Sequence, residues 1–323
     1  MTRKLRADIL LIIITVVWGA SFPLMKIMLG YMPAFAYLAF RFILAALALA
    51  LIFGRNISRL NRKTLLYGLI IGTFMFAGMA FQIFGLYVTS ASNSGFITGL
   101  NVVIVPIISA VMLKKRPDRS SAIGVLIAFA GLFFLSGGLS FSFNSGDLLT
   151  FFCSICWAIQ IILIDRFTAE VDPPLLAIIQ LGTTGILSLI FWMATGVGTI
   201  SFNKTSVSIL LFTAVLGSAL AFGGQTIAQK DTTPTHTALI FTAEPVFAAI
   251  FAMLIPYAYG QTETLGLASA LGCVLILAGM LVSEFGNGKS TQAADSIGKA
   301  EADYVGTAAG SAGNQAPGEC TGE

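Results

Sequence analysis

Along the chain, apolar runs of about 20 residues, each long enough to cross roughly 30 Å of hydrocarbon as a helix, alternate with short stretches where Arg, Lys, Pro and Gly collect. Cutting at those stretches predicts ten helices, near residues 8–29, 34–54, 65–88, 91–113, 121–139, 147–167, 174–196, 207–228, 237–258 and 264–284. The runs are continuously apolar and lack the alternation of a barrel strand, so the pattern predicts helices throughout. Composition agrees: hydrophobic residues make up 56% and charged residues 10% of the 323 positions, and the mean hydropathy is +0.89. A soluble domain could not bury that much apolar surface. The expected fold is therefore an all-α polytopic membrane protein.

The charged residues then orient the chain. Basic residues in short loops gather on the cytoplasmic side. With the N-terminus inside, the inner segments carry Arg3, Lys4 and Arg6, then Arg55, Arg59, Arg62 and Lys63, then Lys114, Lys115, Arg116 and Arg119, then Arg166, Lys230, Lys289 and Lys299, while the outer loops carry only Lys204. Both termini are thus expected in the cytoplasm, with the protein in the cell membrane. The net charge of +3 reads as topological, and no nucleic-acid partner is implied. The first apolar run is too long for a cleaved signal and is taken as helix one. Residues 286–323 are rich in Gly, Ala, Ser and Gln, too poor in large apolar residues for a core, and are expected to form a disordered cytoplasmic tail.

The pattern repeats. Asp8 and Trp18 match Asp147 and Trp157 at an offset of 139, Gln82 matches Gln225 at 143, and Gly124-Val-Leu-Ile-Ala-Phe-Ala-Gly131 resembles Gly272-Cys-Val-Leu-Ile-Leu-Ala-Gly279 at 148. The offset grows in order, as loop insertions would make it. This divides the chain into residues 1–139 and 140–285. Because each copy has an odd number of spans, the second is inverted, giving two inverted five-helix repeats related by an axis in the membrane plane.

Several segments resemble the drug/metabolite transporter superfamily and, within it, the EamA-type exporters. They are Trp18-Gly-Ala-Ser-Phe-Pro23, Arg41-Phe-Ile-Leu-Ala45, Phe96 to Pro106, Glu244-Pro245-Val-Phe-Ala248 and Leu275-Ile-Leu-Ala-Gly279, within a similarity over residues 8–284. The resemblance implies a ten-helix carrier in which helices one to four and six to nine surround a central cavity, with five and ten packed to one side. Lys114-Lys115-Arg116-Pro117, without the acidic residue often found there, and the extra residues between Pro256 and Thr262 depart from the family pattern.

Ionisable residues at membrane depth are functional candidates because they are costly to insert. Glu244 lies about 10 Å into helix nine and precedes Pro245, which frees a backbone carbonyl. It can take up and release a proton, pair with a substrate amine, or serve as a structural acid. Arg41, deep in helix two and always charged, needs a carbonyl, a carboxylate or a substrate anion. Trp18 and Trp157 fall mid-span at equivalent positions, away from any interface, and suit either a cavity wall or helix packing. Gln82, Gln225 and Asn101, the last matched to Glu244 by the offset of 143, either bond across helices or face substrate. These seven residues form the candidate site.

Other features read more plainly. Lys26 is expected to snorkel to the headgroups, Asp8 and Asp147 to cap helix starts, and His236 to be solvated in a boundary loop. Asp165 and Arg166 read as boundary charges, and Trp192 and Tyr257 as belt residues. Cys153 and Cys156 read as helix packing, as do the pairs Gly68-x-x-x-Gly72 and Gly95-x-x-x-Gly99, whose smooth faces can also slide.

Three function classes remain open: a carrier, a channel or facilitative pore, and an intramembrane enzyme. No His-Glu-x-x-His pair, Ser-His-Asp set or Gly-rich phosphate loop is present, so no enzyme activity and no cofactor or metal is expected. A channel would show a ring of like charges or a carbonyl filter. The expectation is a secondary transporter exporting a small polar or amphipathic, amino-acid-like metabolite by alternating access, with protons as the coupling ion through Glu244. Its partners are that small-molecule substrate and the lipid bilayer; substrate identity, direction and oligomeric state are not legible.

Overall fold

The computed structural model describes residues 3–112, 114, 119–135, 144–196, 198–255 and 266–282. Ten apolar helices account for nearly all of these. They are α1 (Arg3–Met28), α2 (Ala34–Ile52), α3 (Arg62–Leu86), α4 in two segments, α4a (Ala91–Gly99) and α4b (Asn101–Met112), α5 (Arg119–Leu135), α6 (Ser145–Thr168), α7 (Pro173–Thr195), α8 beginning at Lys204, α9 in two segments, α9a (Pro234–Phe241) and α9b (Glu244–Leu254), and α10 (Leu267–Val282). Eight are long and apolar enough to span a bilayer, and α5 and α10 are shorter apolar helices. The predicted tail, Cys320, Tyr257 and the Pro256–Thr262 segment lie outside the described residues.

The solvation pattern is that of a protein whose solvent is lipid. Leu51, Val111, Met193 and Leu267 point outward with most of their surface exposed, while Arg41, Gln82, Gln160, Gln180 and Gln225 are buried. In hydrocarbon the apolar side chains need no shelter, and the polar ones must find partners inside. The interior is accordingly bonded across long sequence distances: Gln180 donates to Thr226 at 2.8 Å and Thr184 to the Gly72 carbonyl at 3.1 Å.

Packing runs between the two halves. The helix α1 lies on α8 and α9, α6 lies on α3 and α4, and α2 and α7 lie on each other. Exchanging each helix with the one five places later leaves this list unchanged. The crossing of α5 and α10 shows the same reciprocity: a side chain at Gly131 would meet the Gly272 carbonyl at 2.8 Å, and one at Gly279 would meet the Gly124 carbonyl at 2.6 Å. Only glycine allows backbones that close. Gly68 and Gly72 likewise let α3 sit against Ile179 and Thr183 of α7, and Gly95 and Gly99 face Pro245 of α9b. Cys153 and Cys156 are buried free thiols in α6.

Three polar expectations change and one holds. Asp8 does not cap α1; it is buried five residues inside it and accepts from His236 Nε2 at 3.1 Å. His236 is therefore not solvated: it sits buried in the first turn of α9a, where its own N–H is capped by Thr233 Oγ1. Asp147 stands at the third position of α6, inside a capping box with Asn144, and also accepts from Thr89 Oγ1 at 2.6 Å. Lys26 does not reach only for headgroups, since its Nζ lies 3.4 Å from the Thr89 carbonyl. Asp8–His236 and Asp147–Thr89 each join one half of the chain to the other, the first near the start of α1 and the second beside Lys26 near its end. The 18 residues from Asp8 to Lys26 set them roughly 27 Å apart.

Candidate functional site

Four departures from regular helix shape the centre of the protein. In α9 the helix breaks at Thr242 and Ala243, because Pro245 has no N–H to donate to the Phe241 carbonyl. In α4 the break falls at Leu100, after Gly99. The second segments begin with Asn101 and Glu244, the pair matched by the offset of 143. Glu244 stands in the first turn of α9b, at a helix N-terminus, which carries partial positive charge. In α8, regular helix Lys204–Ala214 widens into a π-helical stretch Val215–Leu220 before resuming as Ala221–Ala228, and Gln229–Asp231 closes it as a 3₁₀ turn. A π-bulge misaligns the ladder and frees carbonyls. The Gly217 carbonyl there accepts from Trp18 Nε1 at 3.0 Å and from an Arg41 terminal nitrogen at 3.2 Å.

Between these irregular segments lies a cavity with a free volume of about 40 Å³. That volume limits occupancy to a few waters in this conformation. All seven candidate residues line it: Trp18, Arg41, Gln82, Asn101, Trp157, Gln225 and Glu244. So do residues that the sequence reading passed over, chiefly Ser21, Thr98, Gln160, Phe222 and Phe241. A signal for these existed. At the offset of 139, Ser21 pairs with Gln160 just as Trp18 does with Trp157, and at 143, Thr98 pairs with Phe241 and Met79 with Phe222. Each sits three residues from a residue already singled out, and Ser21, Gln160, Met79 and Phe222 do so along unbroken helix and share its face.

The cavity is aromatic on two sides and polar between. Phe222 stacks on Trp157 with ring centres 5.6 Å apart and tilts against Trp18 at 4.9 Å, while Phe241 meets Trp18 edge-on at 4.9 Å. Arg41 is 1% exposed. Its Nε donates to Ser218 Oγ at 2.7 Å, but its NH1 has no partner, and among the described residues no carboxylate pairs with it. Its equivalent at the offset of 139, Gln180, does not line the cavity and spends its amide on Thr226. Glu244 is partly buried and makes no hydrogen bond or ion pair among the described residues. Gln82 Nε2 approaches Thr98 Oγ1 at 3.4 Å, and the Asn101 side-chain oxygen is buried without a partner. The site therefore holds an unneutralised cation, an unbonded carboxyl group and several unmatched amide atoms inside an apolar shell. Buried polar groups are ordinarily satisfied, so this arrangement is suited to a polar solute that supplies the missing partners.

Comparison with known proteins agrees with the architecture. A solved crystal structure superposes with a TM-score of 0.68 at 19% identity, over 86% of this chain and 96% of that one. An uncharacterized transporter of Archaeoglobus fulgidus is 34% identical over 87% of this chain and 86% of its own length. The Bacillus subtilis transporter YyaM is 28% identical over 87% of this chain and 94% of its own. A Salmonella typhimurium protein named "Probable amino-acid metabolite efflux pump" is 26% identical over 88% of this chain and 96% of its own. The model of the EamA-like transporter family matches twice, over residues 5–137 and 144–285, and this multi-pass membrane chain belongs to that family of transporters.

Proposed function

We propose that the chain is a secondary transporter that carries a small zwitterionic, amino-acid-like metabolite out of the cell by alternating access, with protons as the coupling ion. The observation that carries this reading is the pairing of opposite unneutralised groups in one cavity: the Arg41 guanidinium, with NH1 unpartnered, and the Glu244 carboxyl, which bonds to none of the described residues. A carboxylate of the solute suits the first, by the planar fork of arginine, and an ammonium suits the second. The same class of solute stands in the name of the Salmonella relative. Glu244 can bind either that ammonium or a proton, and this competition is the simplest coupling scheme for an exporter.

Alternating access rests on two inverted repeats, residues 1–139 and 140–285, with both termini in the cytoplasm. The reciprocal packing supports it, as does the pairing of most lining residues by the offsets of 139 and 143. With so little free space, the cavity must open toward one face to admit a solute. The ties Asp8–His236 and Asp147–Thr89 join opposite repeats at opposite ends of α1, where they would have to break in turn.

The test is counterflow of labelled amino acids in proteoliposomes with and without an imposed pH gradient. Wild-type exchange should follow the gradient, and Glu244→Gln should exchange without responding to it. Transport that ignores the gradient and is unchanged by Glu244→Gln would remove proton coupling from this residue, and failure to exchange any amino acid would remove the solute class.

A further inference from the structure

We infer that Gln160 and Gln225 form a subsite in the cavity wall that reads a carboxamide on the transported solute. This rests on the zwitterion-carrier reading of the same cavity and adds the identity of the solute's other end.

Gln229 stands in the 3₁₀ turn that closes α8. Its Nε2 lies 3.0 Å from the Ile161 carbonyl oxygen. A backbone carbonyl only accepts, so the nitrogen of that amide must be the atom placed there. Gln229 Oε1 is then the atom facing Gln225, which answers with Nε2 at 2.9 Å. The second N–H of that same Nε2 reaches Gln160 Oε1 at 3.2 Å. Turning over any one of the three amides would set donor against donor or acceptor against acceptor. The backbone carbonyl thereby fixes the whole chain of amides, an assignment that amide side chains rarely allow.

What the chain leaves over is equally fixed. Gln160 Nε2 and Gln225 Oε1 are both buried without a partner, on residues that are 0% and 1% exposed. Both residues line the cavity, and their amides are bonded to each other. Two bonded cavity-lining residues therefore leave one donor and one acceptor unmatched. A carboxylate would satisfy the donor and set its lone pairs against Gln225 Oε1. An ammonium would do the reverse, and an apolar group would leave both unmatched. A carboxamide has one acceptor and one donor in the matching arrangement. With Arg41 and Glu244 for the zwitterion, the best-matched solutes are L-glutamine and L-asparagine. The ladder has no counterpart in the first repeat, where the residue equivalent to Gln160 is Ser21, whose hydroxyl donates to the Val17 carbonyl.

The experiment is a titration of the purified full-length protein in detergent, read by tryptophan fluorescence, since Trp18 and Trp157 line the cavity. The probes are L-glutamine, L-glutamate, the near-isosteric apolar L-methionine, and the uncharged pair butyramide and butyrate. Wild type should bind L-glutamine at least about tenfold more tightly than L-glutamate or L-methionine, the usual result of leaving buried polar atoms of a site unmatched. Gln160→Met should bring glutamine and methionine to within about threefold of each other. Equal binding of glutamine and methionine by wild type overturns the subsite and leaves the zwitterion reading standing. Binding of butyramide over butyrate, with no amino acid bound, keeps the subsite and removes the zwitterion reading. No response to any probe removes both. The wild-type comparison decides the matter even if the variant fails to fold.

Discussion

Asp8 and His236 are polar residues outside the cavity that tie distant segments together. Both are buried, and each supplies the other's hydrogen bond across α1 and α9a. Removing His236 takes from the buried Asp8 carboxyl the hydrogen bond it accepts there, which costs about 1–3 kcal/mol. His236→Ala should lower stability by that amount in thermal unfolding in detergent, whereas Asp8→Asn, which keeps an oxygen for the ring, should cost less. Arg41 tests the cavity at the same scale. Lysine would keep the charge but not the fork that reaches Ser218, the Gly217 carbonyl and the solute together. Arg41→Lys should therefore weaken amino-acid binding by about tenfold or more while leaving the protein folded, as a titration against wild type would read. Arg41 and Glu244 were legible as candidates from charge at membrane depth alone, and both line the cavity. The roles of Asp8 and His236 were not, because each looks like a boundary residue until its partner, 228 positions away, is placed beside it.

Among the elements, the crossing of α5 and α10 carries the sharpest steric prediction. A side chain at Gly131 would press on the backbone of α10, which cannot yield as a flexible side chain would. Gly131→Val should destabilise by about 1–3 kcal/mol or more, while Gly54→Ala, with nothing within 4 Å of the added carbon, should be close to neutral; melting temperatures of the two variants give the comparison. Helix number and placement were legible in the sequence: the spans expected at 34–54 and 147–167 are Ala34–Ile52 and Ser145–Thr168. The breaks in α4 and α9 and the π-helical stretch of α8 were not. Hydropathy registers length and apolarity, and both survive a local change in hydrogen-bond pattern. Pro245 and Gly99 marked the positions, but whether such residues kink, break or merely thin a helix depends on what packs against them.

At the scale of the whole molecule, the loops that join α2 to α3 and α6 to α7 are clamped together. Lys63 Nζ meets Glu170 at 2.6 Å, the Tyr67 hydroxyl donates to the same carboxylate at 2.9 Å, and Asn56 and Arg59 both reach Asp172. The bond from Lys63, then that from Tyr67, hold the Glu170 carboxyl below the usual carboxylate range. A carboxyl depressed in the folded state contributes stability above its unfolded pKa and loses it as pH falls through the folded value. The clamp should thus be intact at neutral pH and release only in acid. Because the pair is exposed and screened by solvent, Glu170→Gln should shift the neutral-pH melting temperature only slightly, and any difference from wild type should vanish in melts taken below the carboxylate range. A difference that grew in acid would contradict the clamp.

The sequence by itself determined that the chain lives in a membrane, how many times it crosses, and which mid-span polar positions recur in its two halves. Those properties follow from composition and spacing, which are local to each segment. Only the tertiary structure decided that Trp18, Arg41, Gln82, Asn101, Trp157, Gln225 and Glu244 share one cavity, that Gln160 joins them, and that Asp8 is tied to the opposite half. Periodicity tells which face of a helix is polar, but the partner of that face comes from a segment far along the chain, as Gly217 does for Trp18 at a separation of 199 residues. Which atoms of a buried amide remain free for a solute is decided last, by the one backbone carbonyl that orients its neighbours.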